Sequence, residues 1–188
     1  MKKFSFLLFA LSISVAAFAQ TFTADKAHAK VGFVVTHLGI SEVDGMFKAF
    51  DAKVTSSKED FSDAVFEFSA DIASITTNNE MRDGHLQKPD MFDAAQFPKM
   101  TFKSTGITKV SDKKFKLTGD LTMKGVTKPV TLDMVVLGTT MDKRANKLVA
   151  GFKVTGTVKR TDFGVGGMPS MMVSEDVELR ASGEFKAN

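Results

Sequence analysis

Along most of the chain, apolar side chains recur at every second position. Val31, Phe33 and Val35 share one face of an extended segment, with Gly32, Val34 and Thr36 on the other. Val43, Gly45, Phe47 and Ala49 repeat the pattern, and Phe66, Phe68, Ala70 and Ile72 alternate with Glu67, Ser69 and Asp71. Further runs place Met100 with Phe102, Phe115 with Leu117, Leu121 and Met123, and Val130 with Leu132, Met134 and Val136. Phe152, Val154 and Val158 follow, and Val177, Leu179, Ala181 and Phe185 close the series. A period of two sends alternate side chains to opposite faces of a strand. About eight such runs, each with one apolar and one largely polar face, predict an antiparallel sheet with one wet side.

The breaks between runs carry turn chemistry: Gly39, Ser57 to Asp60, Ser111-Asp112, Lys124-Gly125 and Met141 to Lys147. Pro129 marks a strand start or an edge, since it has no N–H for a ladder. One segment, Thr76 to Phe97, departs from alternation. Thr77-Asn78-Asn79-Glu80 fits a capping box, Met81, Arg82, His85 and Leu86 follow at helical spacing, and Pro89 stops the helix. With Met91, Phe92 and Phe97 as apolar anchors, this predicts a short helix or two lying across one end of the sheet. About eight antiparallel strands with one helical insertion predict an all-β, up-and-down barrel. Alternation does not report closure, so a two-sheet sandwich stays open at this level.

The N-terminus follows another logic. Lys2 and Lys3 precede an apolar stretch from Phe4 to Phe18, and Ala17-Phe18-Ala19 gives the small-x-small pattern of signal peptidase sites. Residues 1–19 are therefore expected to be a cleaved signal peptide, leaving a single domain over 20–188. The stretch is short for a spanning helix, so no stable membrane insertion is expected. No Cys stands at the junction to take a lipid. Export implies a periplasmic or secreted protein. Without the leader the chain has 23 basic and 22 acidic residues, which argues against a nucleic-acid partner. Zero Cys removes disulfides and thiol chemistry. All 18 aromatics are Phe, 14 of them beyond residue 19, and with ten Met there they favour a pliable apolar interior.

Candidate chemistry is sparse. The three histidines, His28, His37 and His85, have no ligand spacing among them, so no metal site is expected. Arg82-Asp83-x-His85 sets a base, an acid and an imidazole on one short helix, but no strained nucleophile turn accompanies them. Arg160-Thr161-Asp162-Phe163-Gly164 ends a strand and enters a Gly- and Met-rich stretch, Val165 to Met172. Arg160 there could pair with Asp162 or present its fork to a polar head group.

In order and at matching separations, the chain carries Asp25-x-x-His28, Val31-x-Phe33-x-Val35-x-His37-x-Gly39 and Val43-x-Gly45-x-Phe47-x-x-Phe50. It continues with Asn79-x-x-Arg82-Asp83-x-His85-Leu86, Phe92-Asp93 and Phe97-Pro98-x-x-x-Phe102-x-Ser104. Gly119-x-Leu121-Thr122-x-x-Gly125-x-Thr127-x-x-Val130-x-Leu132 and Arg160-x-Asp162-Phe163-Gly164 complete it. This series resembles the YceI-like family, exported bacterial proteins with a lipocalin-like barrel that bind polyisoprenoid or similar long-chain lipids. Met91, where a Phe commonly stands, and Val158-Lys159, in place of Ile-Asn, depart from it. The resemblance implies a binding and transport protein, not an enzyme. Its ligand would be a polyprenyl phosphate or a quinone held in an apolar tunnel, with no other cofactor. Phe33, Val35, Phe47, Phe66, Phe68, Met100, Phe102, Leu117 and Met134 are the tunnel candidates, and Arg82, His85 and Arg160 the head-group candidates.

Two other readings stand beside it. A solid barrel could serve a membrane redox partner through its surface, or Arg82, Asp83 and His85 could act as a lipid hydrolase or isomerase. A homodimer and a lipid-handling membrane partner also stay open.

Overall fold

Alternation becomes strand wherever the apolar set has a common interior to enter. In the computed structural model, which describes residues 19–188, the order is β1 (Gln20–His37), β2 (Ser41–Phe47), β3 (Phe50–Ser56), β4 (Val65–Asp71), β5 (Ile75–Thr76), α1 (Glu80–Leu86), β6 (Lys99–Ser111), β7 (Lys114–Met123), β8 (Val126–Asp142), β9 (Lys147–Lys159) and β10 (Asp176–Ala187). The expected signal peptide lies outside the described residues, save for Ala19.

β2 and β3 behave as one bent strand. β2 pairs with the second half of β1 and β3 with its first residues, from Gln20 opposite Ser56 to Thr23 opposite Lys53. β4 and β5 form a second bent strand, broken at Ile72–Ser74 by a 3-10 turn. The ring is therefore one of eight strands in sequential order, and β10 returns to β1 from Ala187 opposite Phe22 to Glu178 opposite Val34. That last pairing closes an up-and-down barrel and rules out the sandwich. Pro129 sits where β8 pairs with β7 alone, before β9 joins at Asp133, so its missing N–H breaks no ladder.

β1 begins eleven residues before the alternating run at Val31, because a bulge hides its first part. Ala24 faces Phe185 and Ala29 faces Gly183, so β1 spends three more residues than β10 across that step. Inward positions are even before the bulge (Phe22, Ala24) and odd after it (Val31, Phe33, Val35). Asp25 pins the bulge. Its carboxylate accepts from Ala27 N at 3.1 Å and from Lys186 Nζ at 2.7 Å, and lies 2.9 Å from His28 Nδ1.

The two ends of the barrel differ in what the loops do. At one end, the β6–β7 and β8–β9 hairpins are short, and the β3–β4 loop folds Phe61 inward. There Phe22, Phe61, Phe66, Phe152 and Phe185 form an edge-to-face cluster, with centroids 5.0–5.5 Å apart. At the other end, α1 and the irregular stretch between β9 and β10 cross the rim. One helix forms where a helix or two was expected. Its N-cap is Asn79, whose side chain accepts from Arg82 N at 3.0 Å, so the expected box from Thr77 to Glu80 is not formed. Asn78 at φ 59° reverses the chain and moves the cap two residues on.

Candidate functional site: an apolar cavity under the helical rim

Between the Phe cluster and the rim the barrel is not filled. A cavity of about 390 Å³ runs through its upper part, within the range of small-molecule sites. Phe66, Phe152 and Phe185 form its floor, and His37, Arg82, His85 and Val173 stand at its mouth. From Phe152 in β9 to Arg160, the residue just past its end, the chain rises roughly 26 Å at about 3.3 Å per residue, or roughly 20 Å along a tilted barrel's axis. The solid-barrel alternative does not hold for this half of the molecule.

Of the nine tunnel candidates, Phe33, Val35, Phe47, Phe66, Phe68, Met100, Phe102 and Leu117 line the cavity. Met134 does not. It is 1% exposed, between Phe115 and Val154 on neighbouring strands, at the filled end. The alternation correctly turned Met134 inward but carried no information on depth. Other lining residues were not singled out: Leu132, Val154 and Leu179 from the same alternating runs, and Leu86 and Phe92 from the helical insertion. Their signal was present, since each occupies an inward or anchoring position.

Width is set partly by glycine. Gly45 faces Phe33 across β1 and β2, and the Phe33 ring occupies the space where a Cβ on Gly45 would stand. The ring lies against bare backbone and leaves the lumen clear. Gly119 accommodates Phe102 in the same way. Above them Phe33 packs on Phe47 at 6.0 Å, and Phe47 meets Phe92 edge to face at 6.5 Å, which anchors the helical insertion over the cavity.

The floor has its own fastening. Asp63 receives the Ser56 hydroxyl at 2.5 Å, the Ser57 amide at 3.1 Å and the Ser57 hydroxyl. Burial opposes the charge, but the serine hydroxyls and amides outweigh it and hold the carboxyl down to about 2. These bonds tie the β3–β4 loop and so place Phe61, itself at φ 59°, beneath Phe152.

At the mouth the polar candidates divide. Arg160 is 5% exposed and does not pair with Asp162. Its guanidinium donates to five backbone carbonyls: Ser174 at 3.1 Å, Val165 at 3.2 Å, Gly166 at 2.7 Å, Met168 at 2.7 Å and Val173 at 3.0 Å. All five N–H groups are committed, so Arg160 borders the cavity but has no donor left for a head group. It shapes the β9–β10 stretch into a fixed strap instead. Arg82 donates through Nε to Thr77 Oγ1 at 2.7 Å and through Nη2 to Thr77 O at 2.9 Å, leaving Nη1 unbonded among the described residues. His85 Nε2 lies 2.9 Å from Asp90 Oδ2, and this contact lowers the Asp90 carboxyl below its ordinary value. Asp83 accepts from the Thr77 hydroxyl and amide, which lower its carboxyl likewise. Asp83 and His85 thus serve different partners and do not form a pair.

Elsewhere, the described residues contain one group with metal-ligand spacing: Asp25, His28 and Glu184. Lys186 and then His28 hold the Asp25 carboxyl well below the carboxylate range, and Asp25 pushes His28 up. The Lys186 ammonium already sits on Asp25, and the cluster locks the bulge.

Comparison with known proteins agrees with this architecture. The family model described as the YceI-like domain matches residues 22–185. A UPF0312 protein of Staphylococcus aureus strain N315 is 36% identical over 169 residues, covering 87% of this chain and 96% of that protein. Its counterpart in strain MW2 is 37% identical with the same coverage. Among solved structures, BcnA of Burkholderia cenocepacia superposes with a TM-score of 0.77 at 26% identity, covering 88% of this chain and 99% of that one. A Campylobacter jejuni YceI protein gives 0.72 at 27% identity, covering 100% and 99%. A polyisoprenoid binding domain from Saccharophagus degradans shares the fold at 14% identity, with a TM-score of 0.65 over 89% of this chain and 98% of that domain.

Proposed function

The chain belongs to the YceI-like family, and on that premise we propose that it is a carrier, not an enzyme, that holds one long-chain isoprenoid lipid in its barrel. The observation that carries this reading is the cavity: apolar-walled, closed by Phe at one end and reaching a polar mouth at the other. The tail would lie toward Phe152 and the polar end, a phosphate or a quinone ring, beside Arg82 and His85. Burial of chain is worth about 0.8 kcal/mol per CH₂. One five-carbon isoprene unit then contributes roughly 3 to 4 kcal/mol gross, and a few units offset the ordering cost of binding. Affinity needs little from the head group, which suits a mouth where Arg82 Nη1 has no bond among the described residues. Residues 1–19 support export, and a periplasmic carrier would shield such a lipid from water between membranes. The Saccharophagus domain, named for polyisoprenoid binding, supports the ligand class through its shared fold.

Mass spectrometry of the gently purified protein, intact and after solvent extraction, tests the reading. A stoichiometric isoprenoid is the expected result, and with no Trp or Tyr in the chain a bound quinone would dominate the near-ultraviolet spectrum. A protein that comes out empty and takes up neither quinones nor polyprenyl phosphates is no carrier. His85→Ala separates binding from turnover: a carrier keeps its lipid, whereas a hydrolase or isomerase loses its reaction.

A further inference from the structure

Charge is unevenly placed on the loops: α1 and its flanks at the mouth carry Arg82, Asp83, His85, Lys88 and Asp90, while two other mouth segments carry none. At the closed end, Lys58, Glu59 and Asp60, then Asp112 to Lys114, then Asp142 to Arg144 are charged runs. At the mouth, the turn Leu38-Gly39-Ile40 and the whole segment from Phe163 to Ser174 contain no Asp, Glu, Lys, Arg or His, in a chain that is 25% charged. These two segments are one surface. Leu38 N donates to Met172 O at 2.9 Å, His37 bridges Val173, and Ser174 N donates to Thr36 O at 2.9 Å.

That surface is apolar and exposed: Ile40 is 86%, Met171 77%, Leu38 52% and Met172 45% accessible. It is also fixed. The five hydrogen bonds of Arg160 hold the strap on both sides of Met171 and Met172, and the Leu38 amide ties the neighbouring turn to Met172 O. And it is continuous with the cavity, because His37 and Val173, the immediate neighbours of Leu38 and Met172, line the mouth. Contiguous exposed apolar side chains without charges mark an interaction site.

We propose that this rim docks the barrel, mouth first, on a lipid bilayer surface, with Leu38, Ile40, Met171 and Met172 entering the boundary between head groups and acyl chains. The outer wall cannot follow them in: Glu67 there bridges Lys53 at 2.5 Å and Lys103 at 3.2 Å in a cross-strand ladder. Contact is therefore confined to the rim, as for interfacial apolar anchors. Neither apolar segment supplies Lys or Arg. The α1 insertion beside them carries both signs, Arg82 and Lys88 against Glu80, Asp83, Asp90 and Asp93, so docking depends on apolar burial and only weakly on anionic lipid or salt. Docked this way, the mouth opens onto the membrane and a lipid can enter or leave without crossing water. This last step rests on the carrier reading; the docking does not.

The test is cosedimentation of the barrel, residues 20–188, with phosphatidylcholine vesicles, with and without phosphatidylglycerol. The relatives consist almost wholly of this matched unit, 96% of their length, so the barrel is a protein in its own right. Wild type is expected to bind both vesicles similarly. The Ile40→Ser/Met171→Ser double variant should bind at least about tenfold less, with an unchanged melting temperature. Leu137→Ser, which removes a 57% exposed leucine from β8, should change nothing. Absence of vesicle binding by wild type, equal binding by the double variant, or an equal loss with Leu137→Ser would overturn the proposal. Lipid delivered from detergent reads the cavity separately. A double variant that loads from detergent yet misses vesicles supports docking, and a wild type that docks but never loads supports docking while the carrier reading fails.

Discussion

Phe61 and Phe152 meet edge to face, with ring centroids 5.0 Å apart and planes at 89°. Phe152 is the floor of the cavity, and Phe61, which reaches in from the β3–β4 loop, stands directly beneath it. The depth available to a ligand is therefore decided by a loop residue that belongs to no strand.

Phe61→Ala should remove that support. The loss of a buried ring costs about 3 to 5 kcal/mol, read as a lower urea midpoint. The backbone at φ 59° is as strained for Ala as for Phe, so the change reports the side chain. With Phe152 free to tilt downward, the variant should accept longer chains than wild type in a competition series of graded prenyl lengths.

Gly45→Val acts at the opposite wall. Any Cβ there collides with the Phe33 ring, which can move only into the lumen. Val suits a strand, so the barrel should still fold, with near-native circular dichroism. Lost room for about two methylene groups corresponds to about tenfold weaker lipid binding, measured by titration with a soluble short-chain quinone.

Arg160→Lys keeps the charge and loses the fork. One ammonium with three donors cannot serve five carbonyls spread over Val165 to Ser174. Stability should fall by about 2 to 4 kcal/mol, with faster amide exchange concentrated in residues 165–174. A variant as stable as wild type, with an equally protected strap, would mean that the bonds contribute nothing net.

Asp63 gives the fold an acid-sensitive fastening. Its carboxyl titrates near about 2 in the fold against an ordinary 3.8. A depressed folded value means stability that is complete above the ordinary value and is lost as pH falls through the folded one. The loss attributable to Asp63 should thus lie between about pH 4 and about pH 2. Urea midpoints of wild type and Asp63→Asn should differ most at neutral pH and converge across that window.

Local pattern determined a good deal about this protein. The period-two runs declared strand, inward face and approximate strand number, because the direction of a side chain in a strand depends only on its parity. Leu86, Phe92 and Pro89 marked the helical insertion for similarly local reasons. The ordered motifs from Asp25 to Gly164 pointed to the family. Closure, depth and partner choice belong to the tertiary structure. β10 finds β1 across the whole length of the chain, which no local window contains. Met134 and Leu117 are equivalent by parity, yet only one reaches the cavity, since the level of a residue depends on strand tilt, on the bulge at Asp25–His28 and on where Phe61 enters. Arg160 and Arg82 were alike as exposed-looking cations beside an Asp. The fold brings five carbonyls around the first and leaves a nitrogen of the second at the mouth, because hydrogen-bond partners are assigned by the path of a loop, and a loop's path is settled by everything it packs against.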